Sequence, residues 1–170
     1  MNQKTAIRIF AFFLMLSMLT LCLVACGEAG GGNGVTYTVS VGGISITPDM
    51  EMASVLSAIK ETPKIRESSA CPPFTGVEKL YEFSNIKITT YAEQGKDLIM
   101  SIFLKDDSLT LGGVKIGSTV AEMEAALGTA YVQSGNGLYT YTSASGAKLK
   151  CIVKNGAVAS VELVTAKADS

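Results

Sequence analysis

The chain contains no histidine, no tryptophan and only four cysteines. Without histidine there is no imidazole general base, no Ser–His nucleophile pair and no His-containing metal site. Charge is also scarce. Fourteen Lys and Arg face fifteen Asp and Glu in 170 residues, a net charge of −1. No basic surplus runs through the sequence, which argues against a nucleic-acid partner. No metal and no cofactor is expected. Mean hydropathy is nevertheless +0.34, and one segment accounts for much of that excess.

That segment is residues 1–26. Lys4 and Arg8 precede an apolar run from Ile9 to Val24, broken by Ser17 and Thr20. Charge followed by an apolar stretch is the pattern of an export signal. The run ends in Leu23-Val24-Ala25-Cys26. This tetrapeptide resembles the lipobox of bacterial lipoprotein precursors. The resemblance implies cleavage after residue 25, lipidation of Cys26 and attachment to membrane lipid through two or three acyl chains, palmitate among them. More than one chain gives stable anchoring. Residues 26–34 then form a tether, because five of the eight residues from Gly27 to Gly34 are glycine. The expected location is the extracytoplasmic face of the cell membrane.

The remainder contains an internal repeat. Gly42-Gly43-Ile44-Ser45-Ile46 recurs as Gly112-Gly113-Val114-Lys115-Ile116, and Leu80-Tyr81-Glu82-Phe83 as Leu138-Tyr139-Thr140-Tyr141. Ile99-Met100-Ser101-Ile102-Phe103-Leu104 recurs as Val158-Ala159-Ser160-Val161-Glu162-Leu163. Two copies are expected, residues 35–108 and 109–170. In each, a helix precedes three or four antiparallel strands. In the first helix Thr47 is the expected cap and Pro48 the first helical residue. Met52, Val55, Leu56 and Ile59 form its apolar stripe, and Pro63 ends it. In the second, Thr119 and Glu122 form a capping box. Strands are expected near 79–84, 86–91, 98–105, 137–142, 147–154 and 157–165, with Asn155-Gly156 as a tight hairpin turn. The fold class is α+β, with helices on one face of an antiparallel sheet.

Alternation along the strands assigns the faces. Met100, Ile102, Leu104, Ala159, Val161, Leu163, Leu149, Cys151, Val153, Ile86 and Ile88 point to the helices. Lys87, Thr89, Tyr91, Phe103, Lys148, Lys150 and Glu162 point away. Tyr81, Phe83, Tyr139 and Tyr141 are either core or an outward aromatic platform. Cys71 and Cys151 are either a disulfide, which would close a loop of roughly 80 residues and contribute about 4 kcal/mol, or two unpaired small hydrophobes.

No catalytic constellation emerges. Gly112 to Thr119 lacks the lysine of a phosphate-binding loop. Lys105-Asp106-Asp107-Ser108 lacks calcium-loop spacing. Glu122 and Glu124 do not share a helix face. The tandem of helix plus strands, with Gly113-x-Lys115-Ile116-Gly117-Ser118 before a helix ending in Leu127-Gly128, resembles the β-lactamase-inhibitor-protein fold. Gly76-Val77-Glu78-Lys79-Leu80-Tyr81-Glu82-Phe83 and Lys96-Asp97-Leu98-Ile99-Met100-Ser101-Ile102 are similar to stretches in lipoproteins of Gram-positive bacteria. The single repeat unit is also similar to small outer-membrane assembly lipoproteins. The inhibitor-fold resemblance implies a module that grips a protein partner with the open sheet face. Alternation puts Tyr91 and Phe103, flanked by Lys87, Lys148, Lys150 and Glu162, on that face, and the lack of a catalytic constellation makes a non-enzymatic module the expectation. An envelope-assembly or structural lipoprotein, or a small-ligand carrier, are the alternatives.

Overall fold

Val39–Val41 (β1) and Ile44–Ile46 (β2) form a small antiparallel hairpin. Gly42 and Gly43 turn it with φ of 59° and 83°, a conformation that glycine reaches without the steric cost of a Cβ. The computed structural model describes residues 34–169. The expected signal segment, Cys26 and nearly all of the tether therefore lie outside the described residues. Among the described residues, no helix is long and apolar enough to cross a membrane.

The main body is an eight-stranded antiparallel sheet. Its strands are Lys64–Ser69 (β3), Val77–Glu82 (β4), Ile86–Glu93 (β5), Lys96–Leu104 (β6), Val132–Ser134 (β7), Leu138–Thr142 (β8), Lys148–Lys154 (β9) and Ala157–Val164 (β10). Their spatial order is β3-β4-β5-β6-β10-β9-β8-β7. Each run of four is a meander, and β6 pairs with β10 at the centre. The helices are Met52–Ala58 (α1) and Val120–Leu127 (α2). Their buried side chains, Met52, Val55, Met123 and Leu127, join one core with Ile88, Ile102, Leu149, Val161 and Leu163. Helices and sheet thus bury one side of the sheet, as expected for α+β.

The two helices begin differently. Thr119 caps α2 by accepting a hydrogen bond from the Glu122 N–H at 3.2 Å, while the Glu122 carboxylate accepts from the Thr119 N–H at 2.8 Å. The capping box is therefore present. Helix α1 starts four residues later than its sequence suggests. The Asp49 N–H donates to the Ile99 carbonyl at 2.8 Å, and the Ile99 N–H to the Met50 carbonyl at 2.9 Å. Pairing with β6 keeps residues 49–50 out of the helix. Glu51 becomes an N-cap with no side-chain hydrogen bond, and Thr47 donates to the Pro48 carbonyl instead. The helix ends at Ala58, before Pro63 can act. Leu56, expected on the buried stripe, is 38 % exposed.

Two β-bulges correct the face assignment. The β5–β6 register skips Met100, and the β9–β10 register skips Ala159. An extra residue reverses side-chain parity on its strand. Ile99 and Val158 therefore enter the core in place of Met100 and Ala159. The aromatic ambiguity also resolves: Tyr81, Phe83 and Tyr141 are buried, and Tyr139 packs partly buried against the same core. Strand β3 is exposed along its whole length. With no buried alternation it left no period in the sequence.

Candidate functional site

The sheet face opposite the helices is built by register. Residues directly opposite each other on paired strands share a face. Lys64 pairs with Glu82, Glu82 with Lys87, Lys87 with Phe103, and Phe103 with Glu162. Glu162 pairs with Lys150, Lys150 with Thr140, and Thr140 with Val132. One row thus crosses all eight strands, about 34 Å at the usual strand spacing. The next row includes Leu80, Thr89, Ser101, Val164 and Lys148. Five of the six residues expected to contact a partner, Lys87, Phe103, Lys148, Lys150 and Glu162, therefore lie together. All five are half-buried.

Phe103 sits at the middle of the central row. Around Glu82, charges converge: Lys105 Nζ at 3.3 Å, and Lys87 Nζ and Arg66 Nη2 each at 3.7 Å. Lys105, first, and the other cations hold the Glu82 carboxyl below its ordinary range. Lys105 also donates to the Phe83 carbonyl at 2.7 Å, which fixes its direction at the end of β6.

Tyr91 is the correction. Alternation places it on the same side as Lys87 and Thr89, but it is only 2 % exposed. The loop between β3 and β4 folds back over it, and the Phe74 ring lies 4.6 Å from the Tyr91 ring, centre to centre. The Tyr91 hydroxyl donates to Asp49 Oδ1 at 2.8 Å and accepts from Lys167 Nζ at 2.9 Å. Thr165 donates to both Asp49 oxygens, at 2.9 and 3.0 Å, and Lys167 also bridges to Glu93. Burial pushes the Tyr91 phenol up, opposed by the bond from Lys167. The bonds to Tyr91 and Glu93 raise the Lys167 ammonium. This knot locks the C-terminal segment onto the sheet, and Tyr91 is a structural pin rather than a contact residue. A shallow cleft of about 400 Å³ lies beside it, lined in part by Phe74, Thr75, Glu93 and Lys167. Nothing in the sequence linked Asp49 or Lys167 to Tyr91, because the knot joins residues up to 116 positions apart.

Cys71 and Cys151 are free. Cys71 is exposed in the β3–β4 loop. Cys151 is fully buried on β9, facing the helices. Four strand spacings separate β4 from β9, roughly 20 Å, whereas a disulfide requires Cα atoms within about 7 Å. The two are unpaired, with Cys151 a small core residue as that alternative expects and Cys71 exposed instead. Burial pushes the Cys151 thiol up to about 12, which keeps it protonated and unreactive. Among the described residues, no group of three or more Cys, Asp or Glu could hold a metal ion. No protein-family model matches the chain, and neither a curated protein nor a solved structure is found that matches it.

Proposed function

We propose that this chain is a membrane-anchored extracytoplasmic lipoprotein whose domain is a non-catalytic protein-binding module, and that the open sheet face is its contact surface. The observation that carries this reading is the uncovered central row with Phe103 at its middle. Both helices pack on the other side of the sheet, and Phe103 keeps part of its surface exposed on this one. Aromatic residues at the centre of a patch are favoured binding anchors, with charged neighbours setting orientation.

We further read the domain as two copies of one unit, in the manner of the β-lactamase-inhibitor fold. Several matched details support this. The bulges at Met100 and Ala159 fall at aligned positions. The bonds of residues 49–50 to Ile99 recur as Gly117 N–H to the Val158 carbonyl at 2.7 Å and Val158 N–H to the Ser118 carbonyl at 2.7 Å. Phe103 and Glu162, which align with each other, also pair with each other across β6 and β10. A pseudo-twofold axis through that pair places Phe103 at the point where the two halves meet. In the same alignment Cys151 corresponds to Ile88, both being core residues opposite a tyrosine.

The test is a quantitative pull-down from the source's envelope and culture fluid. The mature chain is compared with its Phe103→Ser and Lys150→Glu variants. A protein retained by the first and lost with both variants is the expected result. Equal retention by all three would remove the open face from the mechanism. Tyr91 is left unchanged, because its loss would disturb the fold.

A further inference from the structure

Resting on the reading of the open face as a contact surface, we infer the class of its partner: a protein segment in which Asp and Glu flank an apolar or aromatic tip. The chain as a whole is slightly acidic. The open face is not. Its two middle rows present Lys64, Arg66, Lys87, Lys148 and Lys150 against Glu82 and Glu162, while Glu78 and Glu93, farther along the same face, are bonded by the Cys71 N–H and by Lys167. Glu82 is held by Lys105, Lys87 and Arg66, three cations against one carboxylate, so this cluster keeps a positive surplus. Helix α2, on the other side of the sheet, carries the opposite sign in Glu122 and Glu124.

Such segregation, in a chain with little charge to distribute, creates a local positive field around Phe103. Opposite potentials attract a partner before contact and penalise wrong ones. Phe103 then supplies apolar area that a purely ionic ligand would leave unused. The flanks of the row differ. The β8 side offers Leu138 next to Ile152, the β4 side Leu80 next to Thr89. The tip of an inserted loop thus meets an aromatic centre with aliphatic shoulders, and its carboxylates meet lysines on both sides.

The test uses the lipid-anchored mature chain held in nanodiscs of neutral phosphatidylcholine, panned against a displayed library of random peptides. The expected result is enrichment of sequences with acidic residues around an aromatic or aliphatic centre. Their affinity should fall by about tenfold or more with Lys87→Glu/Lys150→Glu, and fall with added salt, as complementary charge requires. The Lys87→Gln/Lys150→Gln pair should give a smaller loss, and Lys115→Glu, next to the N-terminus of α2, should leave binding unchanged. Circular dichroism checks that each variant is folded. Enriched peptides that are neutral or basic but still lost with Phe103→Asp would overturn the acidic class and keep the open face. Peptides indifferent to Phe103→Asp would overturn the open face itself. If no peptide is enriched, the partner class is wrong. Lysine-dependent binding to phosphatidylglycerol nanodiscs in that case would assign the face to lipid headgroups instead.

Discussion

At the residue scale, Tyr91 and Cys151 show how a side chain's neighbours decide its role. Tyr91 has the sequence position of an exposed aromatic and the surroundings of a core one. Its hydroxyl joins Asp49, in the chain before α1, to Lys167, in the segment after β10. Tyr91→Phe should cost about 1–2 kcal/mol, since hydrogen bonds to charged groups are worth somewhat more than neutral ones. Tyr91→Ser should cost about 3 kcal/mol or more, because the ring packed on Phe74 goes too. Urea unfolding of the two variants measures both, and equal stability for wild type and Tyr91→Ser would show that the knot carries no weight. Cys151 gives a prediction in pH. Its thiol is held neutral in the fold, up to about 12, while an unfolded thiol ionises near 9. Below pH 9 both states are protonated and the group has no effect on stability. As pH rises from 9 to 12, only the unfolded state gains charge, so stability falls by about 1.4 kcal/mol per unit. Cys151→Val should remove that part of the alkaline loss while costing little at neutral pH, because it keeps an apolar side chain of similar size. An unchanged alkaline slope in Cys151→Val would refute this assignment.

At the scale of elements, the helices show what local chemistry can and cannot specify. Helix α2 carries its own start signal, and both halves of the Thr119–Glu122 box form. Thr119→Ala should therefore lower stability by about 1 kcal/mol in denaturant titration. A change within error would mean that the tertiary pairing of Thr119 with Ala157 sets the helix start by itself. Helix α1 has no such box, and its start is imposed from outside by β6. Thr47-Pro48 looked like a helix start because cap preference is local, while the competing bonds to Ile99 come from half a domain away. The strands divide in the same way. Asn155-Gly156 turned as expected, with φ of 53° and 79°, because a two-residue hairpin is fixed by its own residues. The bulges at Met100 and Ala159 were illegible, since the added residue is apolar or small and only the partner strand reveals it. Strands β3 and β7 were missed because all their residues are exposed. Of the candidate face, Lys87, Phe103, Lys148, Lys150 and Glu162 were legible from alternation. The burial of Tyr91 was not, because alternation reports which side a residue faces and never what covers it.

At the scale of the whole molecule, the function proposed for the open face needs both halves to hold one rigid surface. Residues 52–104 supply α1 and β3–β6, and residues 120–164 supply α2 and β7–β10. Two such units could in principle melt separately. The core argues against it, because Met52 and Val55 of α1 and Met123 and Leu127 of α2 belong to one apolar cluster. The β6–β10 seam lies inside that cluster, with Ile102 opposite Leu163. The knot of Asp49, Tyr91, Thr165 and Lys167 ties the first half to the last residues of the second. Cutting the seam would expose apolar surface on both sides at about 25 cal/mol per Å², so neither half gains by unfolding first. Unfolding should then be a single transition. Tyrosine fluorescence changes from Tyr91, read as the difference from a Tyr91→Phe chain, follow the first half. Labelling of the Cys151 thiol in a Cys71→Ser chain follows the second. The two curves should share a midpoint in urea, once each variant's own stability is allowed for. Separate midpoints would mean that the halves are independent units, and that Phe103 and Glu162 at the seam do not lie on a surface rigid enough to select a partner by shape.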